Sequence, residues 1–113
     1  MKEMDGKNVV LCGSSCYEQK YYLNPYFDRL PEEIKKELKI MCVLFTEDVG
    51  GVLLLEFKPD GSLIFKTEAG GDDLVFDDIG AEMKIKELTE NKQELLSKLV
   101  LYYKAKRGLL KIN

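Results

Sequence analysis

The rhythm of apolar and polar positions changes several times along the chain, and each change marks an expected element. Residues 8–12 are a short β-prone run, Gly13, Ser14 and Ser15 follow with turn chemistry, and residues 16–23 resume with Tyr17, Gln19, Tyr21 and Leu23 on one face of a strand. This predicts a first hairpin. Asn24-Pro25 interrupts it, and Leu30-Pro31-Glu32-Glu33 reads as a helix start, with proline at the first helical position and carboxylates in the positively polarised first turn. Ile34, Leu38, Met41, Cys42, Phe45 and Val49 then recur at three- and four-residue steps, a stripe meant for a core, and Gly50-Gly51 ends the helix.

Residues 52–57 and 62–68 are two β runs joined by Lys58-Pro59-Asp60-Gly61, which places proline and glycine where a tight reversal needs them. Leu53, Leu55 and Phe57 share one face of the first run, and Leu63, Phe65 and Thr67 share one face of the second, so a helix is expected to cover that side. Beyond Gly70-Gly71 and an acidic stretch, residues 78–107 follow a helical pattern through Ile85, Leu88, Leu95, Leu99 and Tyr102. The positions between Leu88 and Leu95 are all polar, so this helix either overshoots the core there or breaks; the alternation around Met83 and Ile85 also permits a short strand, with Thr89 capping a separate helix. One long helix is the preferred reading. The expected architecture is therefore α+β, a small antiparallel sheet of two hairpins with two helices packed on it, in the order ββαββα.

Length and composition narrow the picture. The chain has 113 residues, reads as one domain over 1–113 with residues 1–7 and 108–113 frayed, and is long enough to bury a core without staples. A domain of this size removes about 65% of the unfolded surface from water. A formal net charge of −3 argues against non-specific binding to nucleic acid or anionic lipid. The N-terminal residues lack the apolar segment of a signal peptide, and the longest apolar run, residues 40–45, is too short to cross a bilayer. Three cysteines without a secretory signal fit a reducing compartment, so the cytoplasm is the expected location.

The runs Val-Val-Leu-Cys-Gly (9–13), Tyr-Glu-Gln-Lys-Tyr-Tyr (17–22), Leu-Pro-Glu-Glu-Ile-Lys (30–35) and Ile-Met-Cys-Val-Leu-Phe-Thr-Glu-Asp-Val-Gly-Gly (40–51) resemble an uncharacterised family of small bacterial proteins, a domain of unknown function, over nearly the whole chain. The resemblance implies a bacterial cytoplasmic origin and carries over no site. Residues 30–88 are also similar in layout to roadblock-type and longin-type modules, scaffolds that pair through helix or strand edges. The chain departs from these by lacking the strands that should follow the second helix, so the likeness is one of analogy.

Several groups of residues are candidates for chemistry, each with a plainer alternative. Cys12 and Cys16 flank the expected turn, where two thiols would ligate a metal or form a labile disulfide, but a structural zinc site wants four ligands and the chain has no histidine. Free cysteines packed as small apolar residues are the alternative, and Cys42, on the helical stripe, is expected in the core. The lack of histidine also removes the usual nucleophile-activating base. Asp72, Asp73, Asp77, Asp78 and Glu82 are dense enough in oxygen to hold a hard cation, yet Asp77 or Asp78 capping the last helix accounts for them more simply. Glu47 and Asp48 oppose the dipole at the end of the first helix and call for a basic partner within the chain. Lys104, Lys106, Arg107 and Lys111 form a basic tail that the dipole of the last helix favours in any case.

Tyr17, Tyr21, Tyr22, Tyr26 and Phe27 concentrate aromatic side chains in one stretch, and Val43 and Leu44 lie off the main stripe of the first helix, leaving that helix apolar nearly all round. Such a helix needs cover on two sides: the sheet on one, and the last helix or a second subunit on the other. The expectation is a non-enzymatic interaction module without a cofactor, self-associating or binding another protein through Tyr17, Tyr21, Tyr22, Tyr26, Val43 and Leu44, with neither membrane nor nucleic acid as partner. The other class kept open is a small enzyme or metal-dependent binder working through the acidic residues, or a thiol or metal site at Cys12 and Cys16.

Overall fold

The computed structural model describes residues 6–71, 73 and 76–110. Four strands, β1 (Val9–Ser15), β2 (Lys20–Leu23), β3 (Val52–Phe57) and β4 (Leu63–Glu68), form one antiparallel sheet in the order β2-β1-β3-β4. A short 3-10 turn, Pro25–Phe27, leads from β2 toward α1 (Glu32–Val49), and α2 (Asp78–Asn91) and α3 (Gln93–Lys106) follow β4. The fold is α+β as expected, but the expected ββαββα order is short by one helix.

That extra helix comes from a break at Lys92, whose backbone leaves the helical region at φ −113° and ψ 27°. Neither glycine nor proline marks it; the polar segment after Leu88 has no apolar side to hold a straight helix on the core, and the chain turns so that Leu95 can return to it. Thr89 caps no new helix. Its hydroxyl donates to the Ile85 carbonyl, 2.8 Å away, inside α2.

The first hairpin also differs from expectation. Gly13, Ser14 and Ser15 belong to β1, and the reversal falls on residues 16–19, with Gln19 at φ 53°. Gly13 is needed for close packing, since a Cβ there would stand 2.6 Å from Leu54 Cδ2 and 2.8 Å from the Leu53 carbonyl oxygen. Tyr17 and Gln19 therefore lie in the turn, and only Tyr21 and Leu23 share a strand face. The second hairpin follows the sequence: Lys58 N–H donates to Ser62 O, Gly61 adopts φ 94°, and Asp60 Oδ1 accepts from both the Ser62 amide and hydroxyl.

β2 and β3 are each antiparallel to β1, so they run parallel to one another and α1 is the crossover between them. Helix α1 lays Leu38, Met41, Cys42, Phe45 and Thr46 on the sheet. Ser14 on β1 answers with its hydroxyl, which donates to the Cys42 carbonyl at 2.7 Å and meets Thr46 Oγ1 at 3.1 Å. Helix α3 buries Leu95, Leu99 and Tyr103 on the same side, the Tyr103 ring lying flat on Phe57. Helix α2 packs against both α1 and α3 and buries Ala81, and Asp77 caps it by accepting from Gly80 N–H at 2.8 Å. All three helices therefore cover one face of the sheet. No helix among the described residues is long and apolar enough to cross a membrane.

Candidate interaction surface

Strand alternation decides which residues reach the face opposite the helices, open among the described residues. Ser14, Leu53, Leu55 and Phe57 are buried under the helices, so their neighbours along the strands point the other way. The pairing registers align these neighbours in rows across the sheet. One row runs Lys20, Ser15, Val52, Glu68 from β2 to β4; the next runs Tyr22, Gly13, Leu54, Lys66; beyond them Val10, Glu56 and Ile64 align across β1, β3 and β4. Leu54 lies across the bare backbone of Gly13 at the centre. Val10, Val52, Leu54 and Ile64 are half-buried, and Tyr22 is 53% exposed.

One charge is embedded here. Glu56 is nearly buried; its Oε1 accepts from Asn8 Nδ2 at 3.0 Å and pairs with Lys66 Nζ at 3.2 Å. Both partners lie on the open side, so the carboxylate is neutralised within an apolar surface.

The residues expected to form an interface are distributed over several places. Tyr22 lies on the open face. Tyr21, one residue earlier, points beneath the helices, where its hydroxyl is buried beside the Cys12 and Cys42 thiols without a hydrogen-bond partner among the described residues; burial, then those thiols, raises its pKa. Tyr17 ties two loops together, donating to Asp73 and accepting from Gly70 N–H at 2.8 Å. Holding the phenol as donor to Asp73 raises its pKa. Tyr26 packs edge-on against Phe27 and carries the Lys106 ammonium 4.4 Å above its ring. Val43 is half-buried, while Leu44 is 56% exposed and, with Ile40, walls a groove between α1 and α2.

The candidates for metal or thiol chemistry are likewise separated. Cys12 points under α1, with its sulfur 3.8 Å from that of Cys42. Cys16 lies in the turn, half-exposed, four residues further along an extended chain, on the order of 13 Å away at the usual strand rise. The structure thus pairs Cys12 with Cys42. Asp73 is engaged by Tyr17, Asp77 caps α2, Asp78 is exposed in its first turn, and Asp72 and Lys111 lie outside the described residues. Asp48 Oδ2 meets Lys84 Nζ at 3.3 Å, so α2 supplies the cation that the end of α1 calls for, and Glu47 is exposed beside it. Among the described residues, no three histidine, cysteine, aspartate or glutamate side chains come together as a metal site.

The open face itself was not singled out from the sequence, yet a signal for it exists. Val52-Leu53-Leu54-Leu55 is a continuous apolar run, the pattern of a strand buried on both faces. No curated protein and no solved structure matches the chain. A family model does, over residues 8–109, and the chain accordingly belongs to that family of unknown function, DUF6145.

Proposed function

We propose that this protein is a non-enzymatic interaction module that self-associates as a homodimer in the bacterial cytoplasm, with the open face of its sheet as the contact surface. The reading is carried by one observation: all three helices lie on one side, while the other side presents apolar residues from every strand, namely Tyr22, Val10, Val52, Leu54 and Ile64. A two-layer protein gains hydrophobic free energy by covering such a face, at about 25 cal/mol per Å2 of apolar surface removed from water. The sequence supports the same conclusion, because β3 is written for burial on both sides. Apolar surface at the centre with charge at the edges is also the usual arrangement of a protein interface.

Sedimentation of the purified chain over a wide concentration range tests the proposal. A dimer is expected, and Leu54→Lys is expected to convert it to a monomer with unchanged circular dichroism, since Leu54 points away from the helices. A chain that remains monomeric at the highest concentrations overturns the reading. So does a dimer indifferent to Leu54→Lys.

A further inference from the structure

The open face carries charge of both signs at its edges, and the placement of those charges specifies how two copies would meet. Resting on the dimer reading above, we infer that the two sheets pack face to face about a two-fold axis parallel to the strands, with β2 of each copy over β4 of the other. Three features of the face lead to this arrangement.

The first is the row Lys20, Ser15, Val52, Glu68, which puts a cation at the β2 edge and an anion at the β4 edge. A two-fold axis along the strands, passing between β1 and β3, keeps each row at its own height and exchanges its ends. Lys20 of one copy then faces Glu68 of the other, and the pair occurs twice. Both side chains are exposed, so neither is committed to the core of its own chain.

The second is the adjoining row. The same rotation sets Tyr22 over Lys66 of the other copy, a cation above an aromatic face. In each chain Lys66 also neutralises Glu56, so it enters the interface already balanced on one side. Leu54, which lies across Gly13 of its own chain, then meets its counterpart of the opposite sheet about the axis, an apolar contact at the centre of the row.

The third is what the competing symmetry would do. A two-fold axis perpendicular to the strands, through the middle row, keeps each column and inverts the order of rows. Lys66 would then face Lys66, and Glu68 would face Ile64. That arrangement leaves Glu68 and Lys20 without opposite charges across the contact, while the axis along the strands opposes unlike charges at both edges. Sheets packed with nearly aligned strands sit about 10 Å apart, a gap that lysine and glutamate side chains reach across.

Charge reversal tests the geometry. Glu68→Lys and Lys20→Glu, each alone, place like charges at both edges and are expected to weaken the dimer roughly tenfold in sedimentation equilibrium at low salt. The double variant Lys20→Glu with Glu68→Lys restores unlike charges and should bring the dissociation constant back to within about threefold of the original chain. Single reversals without effect, or a double variant as weak as the singles, overturn this packing. If Leu54→Lys nevertheless dissociates the dimer, the open face remains the contact and only the axis is wrong. An unmodified chain that is monomeric removes both readings together.

Discussion

The sulfur of Cys12 lies 3.8 Å from that of Cys42, between the middle of the sheet and the crossover helix, in a site closed to solvent. Cys16 stands apart, half-exposed in the β1–β2 turn. Reactivity toward an alkylating reagent should follow that division. One thiol, Cys16, is expected to react in the native protein, and all three once the chain is unfolded. Intact mass after a short exposure to iodoacetamide reads the count, and rapid native labelling of Cys12 or Cys42 would contradict the packing.

The same pair makes stability fall in alkali. Its hydrogen bond with Cys12 and its burial raise the pKa of the Cys42 thiol far above its ordinary value. A folded-state pKa above the unfolded one contributes stability in full below the unfolded value, near 8.5, and loses it as pH rises. Above about pH 9 the unfolded chain releases a proton that the folded one retains, so stability should drop by about 1 kcal/mol per pH unit from this group. Urea unfolding at pH 8, 9 and 10 measures the slope, and Cys42→Ala should reduce it, most clearly between pH 8 and 9, before the buried Tyr21 phenol adds its own loss near pH 10.

Phe57 and Tyr103 join β3 to α3, with ring centroids 4.1 Å apart and planes within 4° of parallel. Both are almost completely buried, and Phe27 packs against each of them. Phe57→Ala should cost about 3–5 kcal/mol in chemical denaturation, the usual toll for emptying an aromatic site. Tyr103→Phe keeps the stack and loses only the hydroxyl that accepts from Arg107 Nη1 at 2.8 Å, so about 1 kcal/mol is expected.

Gly51 follows Gly50 at the junction of α1 and β3 and adopts φ 69°. A Cβ there would stand 2.5 Å from the Phe76 ring and 2.6 Å from the Glu68 carbonyl oxygen. Backbone strain and collision act together, so Gly51→Ala should destabilise by more than about 1 kcal/mol. Gly108, also at positive φ but with open space around it, should bear alanine at a smaller cost, seen as a smaller shift in melting temperature.

Legibility from sequence tracked how local the determinant was. The crossover helix carried its own start at Pro31-Glu32-Glu33, its own stop at Gly50-Gly51 and a regular apolar stripe, and the second hairpin carried its turn chemistry; both were readable. Gly13-Ser14-Ser15 was misleading because small residues serve two purposes, reversal and close packing, and only Leu54, distant in sequence, decides between them. The break at Lys92 has no local breaker, and the return of Leu95 to the core is what requires it. The aromatic stretch read as one surface was divided by strand alternation, which puts Tyr21 and Tyr22 on opposite sides of the sheet. Pairing distant strands is also what assembles Tyr22, Leu54 and Ile64 into one face, and only the unbroken apolar run of β3 hinted at it.

The central position of β1 has a consequence for synthesis. Its hairpin partner β2 leaves the ribosome directly after it, but its other partner, β3, emerges only when the whole of α1 has been made. At the usual pace of translation that delay lasts on the order of seconds. Throughout it a two-stranded hairpin, marginal by itself, offers an unpaired edge to every other nascent chain nearby. Aggregation of this protein during expression should therefore depend on how quickly β3 arrives and docks, and slow translation across α1 would lengthen the exposure.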